Sequence, residues 1–303
     1  MRAALLAATL LAALPFVAQV ARADDTCALL SQRWTDGRAT LTGIATNALL
    51  LKASDSGCTD LVAAMLDGGV PKDAADRFGN TALIHAARSG QVAVEKLLLA
   101  RGADVAHRNA AGSTALFSAA ERNRTEAALL LLDHGADPDV PGRSGATPLA
   151  AASFNANDAL AAALLAHHAA PALADRTGKP PIVYAAARAA TPIVVRLLAT
   201  GIDVNARYSN DLTVLMWAAG YADDASEADG VALVRTLLDR GAHVDDADNR
   251  GRTALMIAAE RGHVEVVKLL LARGADATHR DRQGKTAADL AASQAVRDAV
   301  THG

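Results

Sequence analysis

Two cysteines, nine histidines and one short acidic run are the parts of this chain whose chemistry could exceed a structural role. Cys27 and Cys58 are too few for a tetrahedral cysteine zinc site within one chain, and neither sits in a C-x-x-C pair. His167 and His168 are adjacent, while His85, His107, His243, His263 and His279 are scattered. The acidic run, from Tyr221 to Gly230, carries Asp223, Asp224, Glu227 and Asp229. It lacks the regular ligand spacing and glycine-enforced turn of a calcium loop. No phosphate-cradling glycine loop, nucleophile elbow or H-E-x-x-H zinc helix appears. The expectation is therefore no catalytic residue, no metal and no cofactor. The alternative kept open is a cryptic hydrolytic site near Tyr184, Trp217 and the acidic run. With 30 basic against 33 acidic residues, the chain lacks the basic excess of a nucleic-acid binder.

The first residues carry an address. Arg2 is a short positive region, Ala3 to Val20 an apolar stretch, and Ala21-Arg22-Ala23 a small-x-small cleavage site. Residues 1–23 are thus expected to be a cleaved signal; an uncleaved anchor is the alternative. Removing Arg2 and Arg22 from the 30 basic residues leaves 28 against 33 acidic ones. No second apolar run of spanning length follows, so the product is expected to be periplasmic and free of the membrane. In an oxidising compartment, Cys27 and Cys58 would form a disulfide stabilising by roughly 3–4 kcal/mol. Two free, small apolar side chains are the alternative.

The elements that must position everything else repeat. Gly79, Gly112, Gly145 and Gly178 are spaced by 33, and Thr81, Thr114 and Thr147 keep the same step. Pro180 takes the next slot, then Thr213, Thr253 and Thr286, with one step of 40 that holds seven extra residues. Segments such as GNTALIHAARSG and GRTALMIAAERGH are each followed by a Leu-rich stretch and a turn, as in VEKLLLARGADV. In these residues the chain resembles the ankyrin-repeat family, whose motif is nearly complete in residues 251–277; the resemblance covers about residues 48–303. It implies an all-α ankyrin solenoid of helix-turn-helix repeats with projecting β-turn tips, about seven repeats plus a partial C-terminal cap.

The residues support that reading independently. Each Thr can cap a helix start, and the alanine pairs allow close helix packing. The Leu runs bury a stripe, and Gly102, Gly135, Gly201, Gly241 and Gly274 allow left-handed helix exits. His168 holds the fourth copy's exit and Pro180 the next capping slot, so a weak point is expected around residues 167–181. Residues 48–78 read as a degenerate first copy. Residues 24–47, with Trp34, read as an N-terminal helical segment pinned by Cys27–Cys58 to the first copy's second helix. Residues 284–303 read as a polar last copy.

The resemblance implies a non-enzymatic, monomeric module that binds another protein through a face of inner helices and turn tips. The residue before each alanine pair varies: Lys52, His85, Ser118, Ala151, Tyr184, Trp217, Ile257 and Leu290. This column turns aromatic and apolar in its second half, and Tyr184, Tyr208, Trp217 and Tyr221 cluster within 184–221. The expected contact residues are Tyr184, Trp217 and Ile257, with Tyr208 at a tip and His85 earlier. Packing between copies is the competing role for Tyr184 and Trp217. Arg77, Arg143, Arg176 and Arg282 form a tip column; a stripe for an acidic partner is one reading of it, and the expected one is a solvated row whose charge is largely neutralised by Asp76, Asp175, Asp248 and Asp281. An inhibitor or immunity factor, an accessory factor of an exported enzyme, and a self-associating structural protein remain open.

Overall fold

A computed structural model describes residues 25–302. The expected signal segment, residues 1–23, lies outside the described residues. The described residues form two compact units that divide between Asp137 and Pro138. In the first, a helix over residues 25–37 (α1) precedes α2 Gly43–Ser56 and α3 Thr59–Asp67, α4 Ala82–Ser89 and α5 Val92–Ala100, and α6 Ala115–Glu121 and α7 Thr125–Asp133. The second holds α8 Pro148–Phe154 and α9 Asp158–Ala166, then α10 Pro181–Ala187 and α11 Thr191–Leu198. It continues with α12 Val214–Ala219 and α13 Glu227–Asp239, then α14 Ala254–Arg261 and α15 Val264–Ala272. A short pair, α16 Ala287–Leu290 and α17 Gln294–His302, ends it. Within each unit, first helices pack on first helices and second helices on second helices. This is the all-α arrangement of an ankyrin solenoid.

The repeated residues cause these elements. The hydroxyls of Thr81, Thr114, Thr147, Thr213, Thr253 and Thr286 each accept from the amide three residues on. That satisfies one orphan donor at each helix start. Pro180 has no side-chain capping bond. The Leu two residues after each cap is buried, as at Leu83, Leu116, Leu149, Leu215 and Leu255, and Ile182 takes the same slot. The alanine at the head of each pair is fully covered, from Ala86 to Ala258. A second buried row runs through Met65, Leu98, Leu131, Leu164, Leu197, Leu237 and Leu270. The second helices from α3 to α15 each exit on a left-handed residue, and His168 does so at φ 65°.

One boundary differs from expectation, and one element is longer than its counterparts. The start of the array at residue 48 falls inside α2, which runs back to a cap at Thr42, whose hydroxyl accepts from Ala45 N at 3.3 Å. Ala48 stands where the other copies have Thr; with no cap to stop it, the helix extends to the preceding hydroxyl. In the sixth copy, the seven extra residues are largely absorbed into α13. That helix is 13 residues long against 9 for α15, and Ser226 caps it.

The expected bridge is present: Cys27 of α1 is bonded to Cys58, with Cα atoms 5.3 Å apart. Trp34 of α1 is buried against Gly68, where a Cβ would come within 3.1 Å of the indole. One position breaks the core pattern. Val62, Ala128, Ala161, Val194, Val234 and Val267 are buried in register, and the second copy places Glu95 there, fully buried. Neither carboxylate oxygen of Glu95 has a hydrogen-bond partner. Burial, with the Glu126 charge adding to it, pushes its carboxyl up to about 7. Among the described residues, no helix is long and apolar enough to cross a membrane.

Candidate protein-binding surface

The turn tips are built by residues that the sequence pattern assigned to charge neutralisation. Asp76 accepts from the amides of Phe78 at 2.7 Å and Asn80 at 2.9 Å, and from the Asn80 side chain at 2.9 Å. Asp175 accepts from the amides of Thr177 and Lys179, Asp248 from Arg250 and Arg252, and Asp281 from Gln283 and Lys285. These carboxylates therefore fold the tips. One oxygen of each carboxylate is taken by backbone amides and the other, in three of them, by a side chain: Asn80 and His85 at Asp76, Tyr184 at Asp175 and Arg250 at Asp248. Among the described residues no ion pair joins them to Arg77, Arg143, Arg176 or Arg282, so the expected neutralisation is not one of direct pairing. The sequence carried a signal for this, since Asn109 occupies the same register and accepts the same pair of bonds from Ala111 and Ser113. Within each unit, neighbouring tips join through single backbone bonds at Ala110 N to Phe78 O, 2.8 Å, in the first and at Arg176 N to Ser144 O, 3.2 Å, and Arg282 N to Arg250 O, 2.9 Å, in the second.

In the first unit, α2, α4 and the tip at Phe78 enclose a groove of about 680 Å³. Ile44, Leu51 and Phe78 give it apolar walls; Ile44 is 86% exposed and Phe78 54%. His85 closes one side. Its Nδ1 lies 3.2 Å from an Arg88 terminal nitrogen and its Nε2 3.4 Å from Asp76. Guanidinium can only donate, so Nδ1 accepts and the Nε2 proton faces the carboxylate. Burial and the Arg88 charge push the imidazole pKa down, against Asp76 and Asp55. His85 thus ties its helix to its tip as a neutral ring while lining the groove.

The second unit holds the other expected residues. Tyr184, Trp217, Ile257 and Leu290 stand on α10, α12, α14 and α16, each half-buried. The Tyr184 hydroxyl donates to Asp175, and burial together with that carboxylate raises the phenol pKa above its usual range. Phe154 meets Tyr184 edge-on, with ring centroids 6.3 Å apart. The Arg188 guanidinium lies 5.5 Å from the Phe154 centroid and binds Asp224 at 2.6 Å. Lys179 places its ammonium 5.4 Å from the Trp217 ring, whose Nε1 is enclosed without a hydrogen-bond partner. Ile257 packs against Gly220, where a Cβ would approach it to 2.8 Å. Tyr208 lies in a two-residue ladder, β1 Arg207–Tyr208 against β2 Leu212–Thr213, at the sixth tip.

Tyr221, counted in the aromatic cluster, leaves that surface. It is buried, stacks on His263 at 3.9 Å between centroids, and lies over Gly230, where a Cβ would come within 2.2 Å of its ring. The acidic run is likewise folded back, through Asp224 to Arg188 and Ala222 N to Ala187 O at 2.8 Å. Phe154, 54% exposed, was missed. Its register holds Asp55, Arg88, Glu121 and Glu260 in four other copies and the small Ala187, Gly220 and Ser293 in three, so a large aromatic among charged and small residues was the available signal. Among the described residues, no group of three or more His, Cys, Asp or Glu could hold a metal ion.

Comparison with known proteins agrees with this architecture. A family model described as ankyrin repeats (3 copies) matches residues 18–109, 49–142, 96–175 and 223–301. The stretch between 175 and 223 forms one such helix pair in the structure, α10 and α11, and the first helix of the next, α12. Human ankyrin repeat domain-containing protein 63 is 47% identical over 60 residues, and its mouse counterpart 45%. Each match covers 20% of this chain and 15% of the relative. Ankyrin repeats generally mediate protein–protein binding, and their homologues are typically non-enzymatic. By the family model's coverage of well over half its length, the chain belongs to the ankyrin-repeat family.

Proposed function

We propose that this protein is exported to the periplasm, where it captures a partner protein with the exposed edges of its first helices and turn tips. The reading is carried by one observation: Tyr184, Trp217 and Ile257 occupy one register of three successive first helices and stay half-buried there. In the same register the first unit has Lys52, His85 and Ser118. Large side chains held on a preformed scaffold lose little entropy on binding, and Trp and Tyr are frequent anchors of affinity. The Cys27–Cys58 bridge supports an oxidising compartment, where such bonds persist. The role that fits is an inhibitor or an accessory factor of an exported enzyme, acting as a monomer.

Two measurements test this. Fractionation with N-terminal sequencing is expected to find a mature chain beginning at Asp24 in the periplasm; a membrane-retained chain beginning at Met1 contradicts export. Cross-linking in intact cells is expected to recover a partner with the wild-type chain and to lose it with Trp217→Ala at unchanged helical circular dichroism. Loss of helicity in that variant would instead assign Trp217 to packing.

A further inference from the structure

The seventh and eighth tips carry an arrangement that the aromatic column does not explain. They are joined by the Arg282 amide donating to the Arg250 carbonyl at 2.9 Å, which sets Arg250 and Arg282 side by side. Beside this junction lies a cavity of about 430 Å³ lined by Arg250, Arg252, Arg282 and Lys285, with Glu260 and Asp281 as its carboxylates. With Asp248, which pairs with Arg250 behind the wall, three carboxylates stand against four cations, so one positive charge is left over. Glu260 accepts from Arg252, while Asp281 accepts the backbone amides of Gln283 and Lys285. Arg250 binds the fully buried carboxylate of Asp248 at 3.2 Å. Arg282 and Lys285 are exposed, and neither side chain has an ion pair among the described residues. Arg252, 8% exposed, keeps its Nε enclosed without a hydrogen-bond partner. The wall therefore holds more donors than acceptors, and an oxyanion is the group that corrects the imbalance.

We infer that this cavity binds carboxylate side chains of an acidic polypeptide segment, with Arg282 and Lys285 as the contacting cations and Arg252 as the fixed back wall. A polypeptide is favoured over a free anion because the cations are spread over two adjoining tips. Leu290, in the register of Trp217 and Ile257, also lines the cavity and gives an apolar contact beside the charged ones. The inference rests on the reading that the array binds a protein, and it names the chemistry at one end of the binding face.

The test titrates the purified protein with a labelled decaglutamate peptide at low and at physiological salt, with decaglutamine and inorganic phosphate as comparison probes. Decaglutamate is expected to bind, more weakly as salt screens the charges. Arg282→Ala/Lys285→Ala is expected to weaken it at least tenfold, and Arg143→Ala/Arg176→Ala, at two other tips, less than twofold. Circular dichroism checks that the variants fold, and Lys285→Gln alone serves if the double variant does not. Absence of decaglutamate binding, equal binding of decaglutamine, or equal loss in both double variants overturns the inference. Binding of phosphate alone with the same dependence on Arg282 and Lys285 overturns the polypeptide source. If decaglutamate fails while partner capture still depends on Trp217, this site falls and the column remains.

Discussion

The second and seventh copies are built from nearly the same residues, yet one hides a charge and the other displays it. Their second helices read VAVEKLLLA and VEVVKLLLA, in α5 and α15. In α15, Glu265 faces solvent, pairs with Lys268 at 2.8 Å, and leaves the core position to Val267. In α5 the glutamate stands two places later, so exposed Ala93 takes the surface site and Glu95 the core. Two residues along a helix is about 200° of rotation, enough to turn a solvated carboxylate into a buried one. The helical frame, rather than composition, decides whether the same side chain is harmless or costly.

The largest effect is expected from exchanging these two helices. Ala93→Glu/Glu95→Val gives α5 the sequence of α15. Glu95 keeps its proton in the folded chain up to about 7, against a usual value of 4.5. The folded state therefore binds more protons than the unfolded state between those values. The site's contribution is fully present below about pH 4.5 and is lost as pH rises through 7, on the order of 3 kcal/mol. Urea unfolding at pH 8 should show the double variant more stable by about that amount, with a smaller gain at pH 4. A gain independent of pH would mean that Glu95 is not ionising inside the fold.

A middling effect is expected at the tips, where the two copies agree. Asp76→Ala and Asp248→Ala each strip acceptors from two backbone amides, and each should cost about 2 kcal/mol in urea unfolding. If Asp76→Ala costs nothing while Asp248→Ala does, the tips are not equivalent.

The smallest effect belongs to the first-helix exits. Gly90 and Gly262 leave their helices at φ 75° and 85°, whereas Ala156 and Ala189 hold φ 52° and 53° in the same slot. The left-handed region crowds a Cβ. Ala156 is exposed, so Ala156→Gly should stabilise by about 0.5 kcal/mol, and Gly262→Ala should destabilise by about 1 kcal/mol. At Gly262 the nearest atom to a new Cβ is 3.6 Å away, so backbone strain alone is read there. Thermal melts of the two variants give the signs.

The period of 33 made helix order, caps, left-handed exits and the buried Leu rows legible, because each copy repeats the same contacts. What the sequence hid lies where the repeat gives no template. Tyr221 looked available until the irregular step placed Gly230 under its ring and His263 against its face. The Asp column looked like surface charge because its partners are backbone amides, which sequence does not print. Thr42 was missed because the first copy's cap lies off the frame. For the surface, the column of Tyr184, Trp217 and Ile257 could be read directly, but its supporting neighbours Phe154, Lys179 and Arg188 could not. They come from adjacent positions whose side chains meet only in space.

The most direct test is a calorimetric titration of the partner recovered from cells against the purified wild-type protein and Trp217→Ala, with urea unfolding of both. The expected result is a dissociation constant raised at least tenfold for the variant with an unfolding midpoint close to the wild type. An unchanged dissociation constant would contradict the assignment of the second unit's aromatic column to partner binding.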